Sequence, residues 1–351
     1  MQRRTLIRLA ATSGAALAAG LAHPGAAGAR ERARLVVAAD GSGDVATIQA
    51  AVDAVPLGNA ARFTIDVEPG VYAGQVIVPA DRPHILLRGR GAHPGQVVIT
   101  DDRASGTPRP DGGTWGTSGS ASVTVDGADF TAANLTIANS FDEAAHPEIT
   151  ARQAVALLSR ADRLAFDNVR FLGNQDTLYL NSPAADVPSR IYLRRCYVEG
   201  DVDFIFGRGT AVLDRCRIHS LTRGSATNNG YVTAPSTSVA NPYGLLFTGC
   251  GFTSDAPAAS VHLGRPWHPS QDPNAIGQTV IRDSVLGAHI GPAPWTDFGT
   301  WSWRDARFAE YHNRGPGALV TPDRPQLTDA EAEGYRPAAY LAGTDGWSPQ
   351  C

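Results

Sequence analysis

Lysine is missing from all 351 residues, so the 30 basic side chains are arginines. Set against 34 Asp and Glu, they leave a formal net charge of −4, which does not favour a basic nucleic-acid-binding surface. Charged residues make up only 18% of the chain and apolar ones 43%, a globular balance that excludes a largely disordered or highly charged polymer. Cysteine occurs four times, at Cys196, Cys216, Cys250 and Cys351, with no C-x-x-C pair. A zinc ribbon and a thioredoxin-like site therefore lack their signature, and four thiols are too sparse for a disulfide scaffold. The G-x-S-x-G elbow, the H-E-x-x-H helix and the G-x-G-x-x-G fingerprint are all absent, and the nine histidines do not cluster at metal-ligand spacing. No metal or organic cofactor is expected. Beyond residue 29 no apolar run is long enough to cross a bilayer.

What is abundant is turn residues. Thirty-seven Gly and 24 Pro spread along the whole length point to many short strands joined by turns rather than long helices.

Residues 1–29 read as an export signal rather than as part of the fold. Arg3-Arg4 precedes an Ala-, Leu- and Gly-rich stretch that ends in the small-residue pattern Ala27-Gly28-Ala29. The paired arginines suggest the twin-arginine route. A membrane anchor is the weaker alternative, because the apolar run is short and stops at Pro24. Removing Arg3, Arg4 and Arg8, and no acidic residue, takes the formal charge from −4 to −7. Residues 30–351 are expected to form one secreted, extracellular, monomeric domain with no membrane contact.

A weak repeat runs through that domain. Phe166-Asp167-Asn168-Val169-Arg170-Phe171 matches Leu193-Arg194-Arg195-Cys196-Tyr197-Val198 and Leu213-Asp214-Arg215-Cys216-Arg217-Ile218. The segments starting at Ala132, Phe247 and Ile281 follow the same form, at intervals of 20 to 34 residues. This spacing predicts an all-β solenoid, a right-handed parallel β-helix whose coils stack at ~4.8 Å and whose insertions loop out. A β-sandwich would need hairpin turns at strand spacing, and Asn229-Gly230 does not recur. In the solenoid, Asn134, Asn168, Cys196, Cys216, Cys250 and Ser284 are expected to form one ladder of small side chains. Cys196 and Cys216 are then either packed thiols or a disulfide between neighbouring coils.

The ends of a solenoid need covers. Ile48 to Val55 has apolar residues at helical spacing, Thr47 suits the N-cap and Pro56 ends the run. The spacing predicts a short helix that closes the open N-terminal coil. The Pro- and Gly-rich residues from about 315 are expected to wrap the surface as an extended tail.

Two carboxylates have related positions in the repeat. Asp176 lies eight residues after Asn168, and Asp203 seven after Cys196, offsets that bring them about one strand spacing (~4.8 Å) apart. Two carboxyls so close do not both ionise easily, which divides them into an anionic nucleophile and a protonated acid. Position alone equally allows a solvated pair at two turns.

The neighbouring residues are more specific. Gly173-Asn174-Gln175-Asp176-Thr177-Leu178-Tyr179 and Gly200-Asp201-Val202-Asp203-Phe204-Ile205-Phe206-Gly207 resemble the two signature blocks of the pectin methylesterases. Leu263-Gly264-Arg265-Pro266-Trp267 resembles the family's Arg/Trp block, and further blocks from Gly41 to Tyr311 carry the resemblance over nearly the whole mature chain. The resemblance implies hydrolysis of methyl esters in methyl-esterified homogalacturonan (pectin), giving pectate and methanol. By the same resemblance Asp203 is the nucleophile and Asp176 the acid and base. Gln175 and Gln153 would steady the oxyanion, and Arg265 would hold Asp203 ionised. Trp267, Tyr179 and Phe206 would meet the sugar, although the usual fate of strand aromatics is a core. A polysaccharide-binding β-helix without activity, or a glycosidase or lyase on the same polymer, are the alternatives. Paired carboxylates alone do not exclude the glycosidase.

Overall fold

The computed structural model describes residues 33–349, and the export signal expected at 1–29 lies outside them. Three parallel sheets of ten, seven and eight strands make up the structure. Successive strands visit them in rotation: Leu164–Asp167 belongs to the ten-stranded sheet, Arg170–Leu172 to the eight-stranded one and Leu178–Leu180 to the seven-stranded one. The next three strands repeat this order one layer further on. The architecture is the parallel β-helix that the repeat predicts.

Each rung inside the coil is one position of the repeat. In the ten-stranded sheet the register links Leu35, Ile65, Leu87, Ala132, Phe166, Leu193, Leu213, Phe247 and Ile281 in one continuous line. Seen edge-on, that line is the hydrophobic core, since from Ile65 onward every member is essentially inaccessible to solvent. The last rung breaks the rule, because Ile281 pairs with Glu310. The Glu310 carboxylate is buried and accepts both Nε and Nη2 of Arg324, at 2.8 and 2.6 Å. Arg324 belongs to the chain that crosses this end of the coil, so an ion pair closes the solenoid there.

The corner ladder needs a correction of one residue. Val169, Cys196, Cys216, Cys250 and Ser284 stack inward, because the backbone of each coil donates to the residue one coil below: Tyr197 to Val169, Arg217 to Cys196, Gly251 to Cys216 and Val285 to Cys250. Asn134 and Asn168 are not on this rung. They precede it, with Arg195, Arg215, Gly249 and Asp283, at positions where φ is +51° to +63°. This left-handed corner swings the chain from one sheet to the next, and Asn tolerates it better than most side chains. The two asparagines form a small ladder of their own, Asn168 Nδ2 donating to Asn134 Oδ1 at 3.0 Å. The three cysteines are buried free thiols, so no bridge joins Cys196 to Cys216.

The N-terminal cover is a helix, α1 (Ile48–Asp53). The Thr47 hydroxyl accepts from Ala50 N, as an N-cap does, and Ile48, Ala51 and Val52 face the core. The C-terminal segment departs from the expected extended tail, because it contains two short helical turns, Asp329–Ala332 and Pro337–Leu341. Their cause is local. Thr328 and Glu331 form a capping box, and Pro337 opens the second turn. The second turn presses Tyr340 into the outer face of the ten-stranded sheet, where its hydroxyl donates to Gln278 Oε1 at 3.0 Å and accepts from Gly244 N at 2.9 Å.

Candidate active site

The seven-stranded sheet carries the site on its outer face. There the register lines up Leu158, Tyr179, Phe206 and Ala234 on four successive coils. Tyr179 and Phe206 stack at 4.1 Å between centroids, and the Trp267 ring stands edge-on to both. These aromatics form a cluster separate from the solenoid core, so the strand aromatics face the cleft rather than the interior.

Just before this row the chain presents the two carboxylates. Leu178 pairs with Ile205 and Tyr179 with Phe206, an offset of 27 residues that also carries Asp176 onto Asp203. With the corner ladder corrected, Asp176 follows Val169 by seven residues, as Asp203 follows Cys196. Both have positive φ, +68° and +51°. At Asp203 the strand Val202–Gly207 bulges: Val202 faces Tyr231 and Ile205 faces Thr233, leaving two residues opposite one. The bulge lets Phe204 enter the core while Asp203 lines the cleft.

The environments of the two carboxyls differ. Arg265 donates to Asp203 from both ends of its fork, Nε to Oδ1 at 2.9 Å and Nη2 to Oδ2 at 2.7 Å. Burial raises the Asp203 carboxyl above its ordinary value, and the Arg265 pair opposes that rise. Asp176 makes no side-chain hydrogen bond among the described residues. Burial, then the charge of Asp203, push its carboxyl well above the usual range. These surroundings favour the proton on Asp176 over Asp203.

A cavity of about 490 Å³ joins these parts, within the range of small-molecule sites. All eight residues named from the sequence line it: Gln153, Gln175, Asp176, Tyr179, Asp203, Phe206, Arg265 and Trp267. Among the described residues the amide side chains of Gln153 and Gln175 have no hydrogen-bond partner, and Gln153 Oε1 is fully buried. Polar ends left open in a cavity are free to bind a ligand.

Trp115, from a Gly-rich insertion, and Phe298, from a late loop, also line the cavity, and the sequence reading did not include them. Tyr231, which also lies outside the three signature blocks, has its ring 3.8 Å from the Arg265 guanidinium carbon. Trp115 and Phe298 stand outside the repeat, where spacing gives no signal, whereas Tyr231 opens the strand Tyr231–Pro235 of the seven-stranded sheet. Clustering of aromatics in residues 295–303, where Trp295, Phe298, Trp301 and Trp303 fall together, was the available hint.

Comparison with known proteins settles the family. The Pectinesterase family model matches residues 34–343. The chain belongs to the pectinesterase family. It is 36% identical to Pectinesterase A of Dickeya chrysanthemi over 336 residues, covering 86% of this chain and 87% of that protein. It is 39% identical to Pectinesterase 31 of Arabidopsis thaliana over 306 residues, covering 84% and 88%. A crystal structure of a pectin methylesterase in complex with a hexasaccharide superposes with a TM-score of 0.81 at 35% identity, covering 90% of this chain and 98% of that one. As a pectinesterase the chain is a carboxylic-ester hydrolase, and the non-catalytic and glycosidase alternatives fall away.

Proposed function

We propose that this enzyme hydrolyses galacturonate methyl esters of pectin to pectate and methanol, as a monomer outside the cell after loss of residues 1–29. The observation that carries the catalytic assignment is the asymmetry of the carboxyl pair. Asp203 is gripped by Arg265, while Asp176, one coil away, has no cation of its own.

In this reading the Asp203 carboxylate attacks the ester carbonyl carbon. The carbonyl oxygen becomes an oxyanion, and the amides of Gln175 and Gln153 donate to it. A neutral donor is the appropriate choice, since a third charge beside two carboxyls would upset their protonation. Collapse of the tetrahedral species breaks the bond to the methoxy oxygen, which takes the proton of Asp176 and leaves as methanol. An acyl–Asp203 anhydride remains. Asp176, now an anion, removes a proton from water. The resulting hydroxide attacks the acyl carbon, releasing the free acid, which ionises to pectate by losing its proton to solvent, and restoring both the Asp203 carboxylate and the Asp176 acid. Trp267, Tyr179 and Phe206 offer apolar surface to the sugar ring, as the likeness to a hexasaccharide-bound enzyme supports.

The test is methanol release from highly methylated pectin together with an acyl-enzyme trap. Hydrolysis in ¹⁸O-water under single-turnover conditions is expected to place label in the product carboxylate. The Asp203 carboxylate is expected to stay unlabelled over many turnovers, because water attacks the substrate acyl carbon and the bridging oxygen returns to Asp203. Failure of a nucleophile such as hydroxylamine to trap any acyl-enzyme, with Asp203→Asn still active, would refute the covalent route.

A further inference from the structure

The Arg265 guanidinium is enclosed on both faces. The Tyr231 ring lies 3.8 Å from its central carbon and the Phe298 ring 4.3 Å. On the far side of Tyr231 the His262 ring continues the stack, with centroids 5.2 Å apart and planes inclined by 18°. Four planar groups from three segments thus form one column, and its only cation is the one bonded to Asp203.

The two aromatic walls are built differently. Tyr231 and His262 pair directly in the sheet, and the Tyr231 hydroxyl accepts from Asn228 Nδ2 at 3.0 Å. Phe298 arrives on a loop that is tied down beside Arg265 itself. Thr296 N donates to Gly264 O at 3.1 Å, and Phe298 and Trp301 exchange backbone hydrogen bonds at 2.9 and 3.0 Å across a tight turn. The Trp301 ring then stacks on His268 at 3.7 Å, and Asp297 Oδ1 accepts from Trp303 N at 2.9 Å. The loop is anchored on each side of Phe298, which fixes the ring over the guanidinium.

We propose that Tyr231 and Phe298 are positioning residues for the esterase reaction: they clamp the Arg265 plane so that its two-point fork holds Asp203 in the attacking orientation. An arginine side chain has several rotatable bonds, and a single carboxylate does not fix the plane of its head group. Aromatic faces on both sides do, because tilting the guanidinium would drive it into a ring. They also exclude water from both faces of the cation, leaving Asp203 as its principal counter-charge. The inference rests on the reading of Asp203 as the nucleophile. It goes further by naming what keeps that nucleophile charged and aimed.

The charged and titratable groups around this assembly are few. Asp203 feels Arg265, and Asp201 acts on it at longer range. Asp176 feels both Asp203 and Arg265. His262 is held below its ordinary value, first by burial, and the Arg265 charge works in the same direction. It is therefore neutral at neutral pH and adds no positive charge to the column. Loosening the clamp weakens the contact that keeps Asp203 anionic, so its carboxyl would titrate at a higher pH.

The experiment compares Phe298→Leu, which keeps apolar bulk but loses the ring, with Phe298→Tyr, which keeps the ring. Phe298→Leu is expected to lower kcat on the order of tenfold with KM nearly unchanged, and to move the acid limb of kcat/KM up by about 0.5–1 pH unit. Phe298→Tyr should return the limb to its original place. In an Arg265→Lys background Phe298→Leu should have little further effect, because the planar partner is gone. A direct titration of the Asp203 carboxyl by ¹³C NMR reads the same displacement without any turnover. A rise in KM alone, with kcat and the Asp203 titration unmoved, would make Phe298 a mere substrate contact and overturn the clamp. If the carboxyl shifts as expected but the wild type releases no methanol, the clamp stands and the esterase reading fails.

Discussion

Asp176 and Asp203 occupy the same place on consecutive coils of the solenoid, 27 residues apart by strand register, and both hold a positive φ. Equivalent backbone gives them equivalent position; unlike surroundings favour the proton on Asp176 over Asp203. Only Asp203 has the Arg265 fork. The coil repeat supplies the proximity that paired-carboxyl chemistry needs, and one side chain from another strand breaks its symmetry.

The pH dependence of turnover follows from that asymmetry. Asp203 must be ionised, so activity is lost as pH falls through its burial-raised value. Asp176 must carry a proton for the first step, so activity is lost again as pH rises through its own, more strongly raised value. A bell-shaped kcat/KM profile is expected. Arg265→Gln removes the influence that lowers the Asp203 carboxyl, so its acid limb should move to higher pH and the maximum should fall about 10²-fold or more. An acid limb that stays in place would show that Arg265 does not control Asp203.

Stability should respond at the same residue with the opposite benefit. A carboxyl whose folded value lies above its unfolded one, near 3.8, contributes stability below that unfolded value and loses it as pH rises through the folded one. Asp176 is of this kind. Asp176→Asn keeps the shape, accepts the positive φ and cannot ionise. It is expected to be inactive yet more stable than the wild type at alkaline pH, by about 0.5–2 kcal/mol, with the gain vanishing near pH 4. Thermal melts at the two pH values measure this directly.

The ion pair that ends the solenoid is a separate test of the fold. Glu310 and Arg324 are almost wholly buried and are bonded at two points. Glu310→Ala strands the Arg324 charge and should cost about 3–5 kcal/mol. Replacing both partners with apolar residues of similar volume should recover much of that loss in urea unfolding, because the stranded charge is gone.

The cysteine rung makes a chemical prediction. Cys196, Cys216 and Cys250 are free and buried, and burial pushes the Cys216 thiol well up. None should react with a thiol-specific disulfide reagent in the native protein, and all three should react in denaturant. Fast labelling of any of the three without unfolding would mean that the coil opens there.

Much of this architecture was legible in the order of residues because a solenoid writes its geometry as a repeat. The hexapeptides around Phe166, Leu193 and Leu213 are in true register, and Thr47 with Ile48 to Val55 marks α1, although the helix stops two residues earlier, at Asp53. The error lay in matching by size. Asn134 and Asn168 look like the small residues Cys196 and Ser284, but they take the left-handed corner, where Asn is favoured by its backbone rather than by its volume. The two helical turns of the tail were missed because each is only four or five residues long. The site residues Asp176, Asp203 and Arg265 lie in dense blocks and could be found. Trp115 and Phe298 reach the cavity from insertions, whose course depends on anchors such as Gly264 and Trp301 that no local pattern announces.

The most direct measurement is methanol release from highly methylated pectin by the wild type and by Asp203→Asn at the optimum pH of each. The substitution preserves size and one acceptor for Arg265 but removes the attacking charge. The wild type should release methanol, and the variant should be slower by about 10³-fold or more, with its melting profile still cooperative. A wild type that releases none, or a variant that releases it at an undiminished rate, would contradict Asp203 as the nucleophile of a pectin methyl-ester hydrolase.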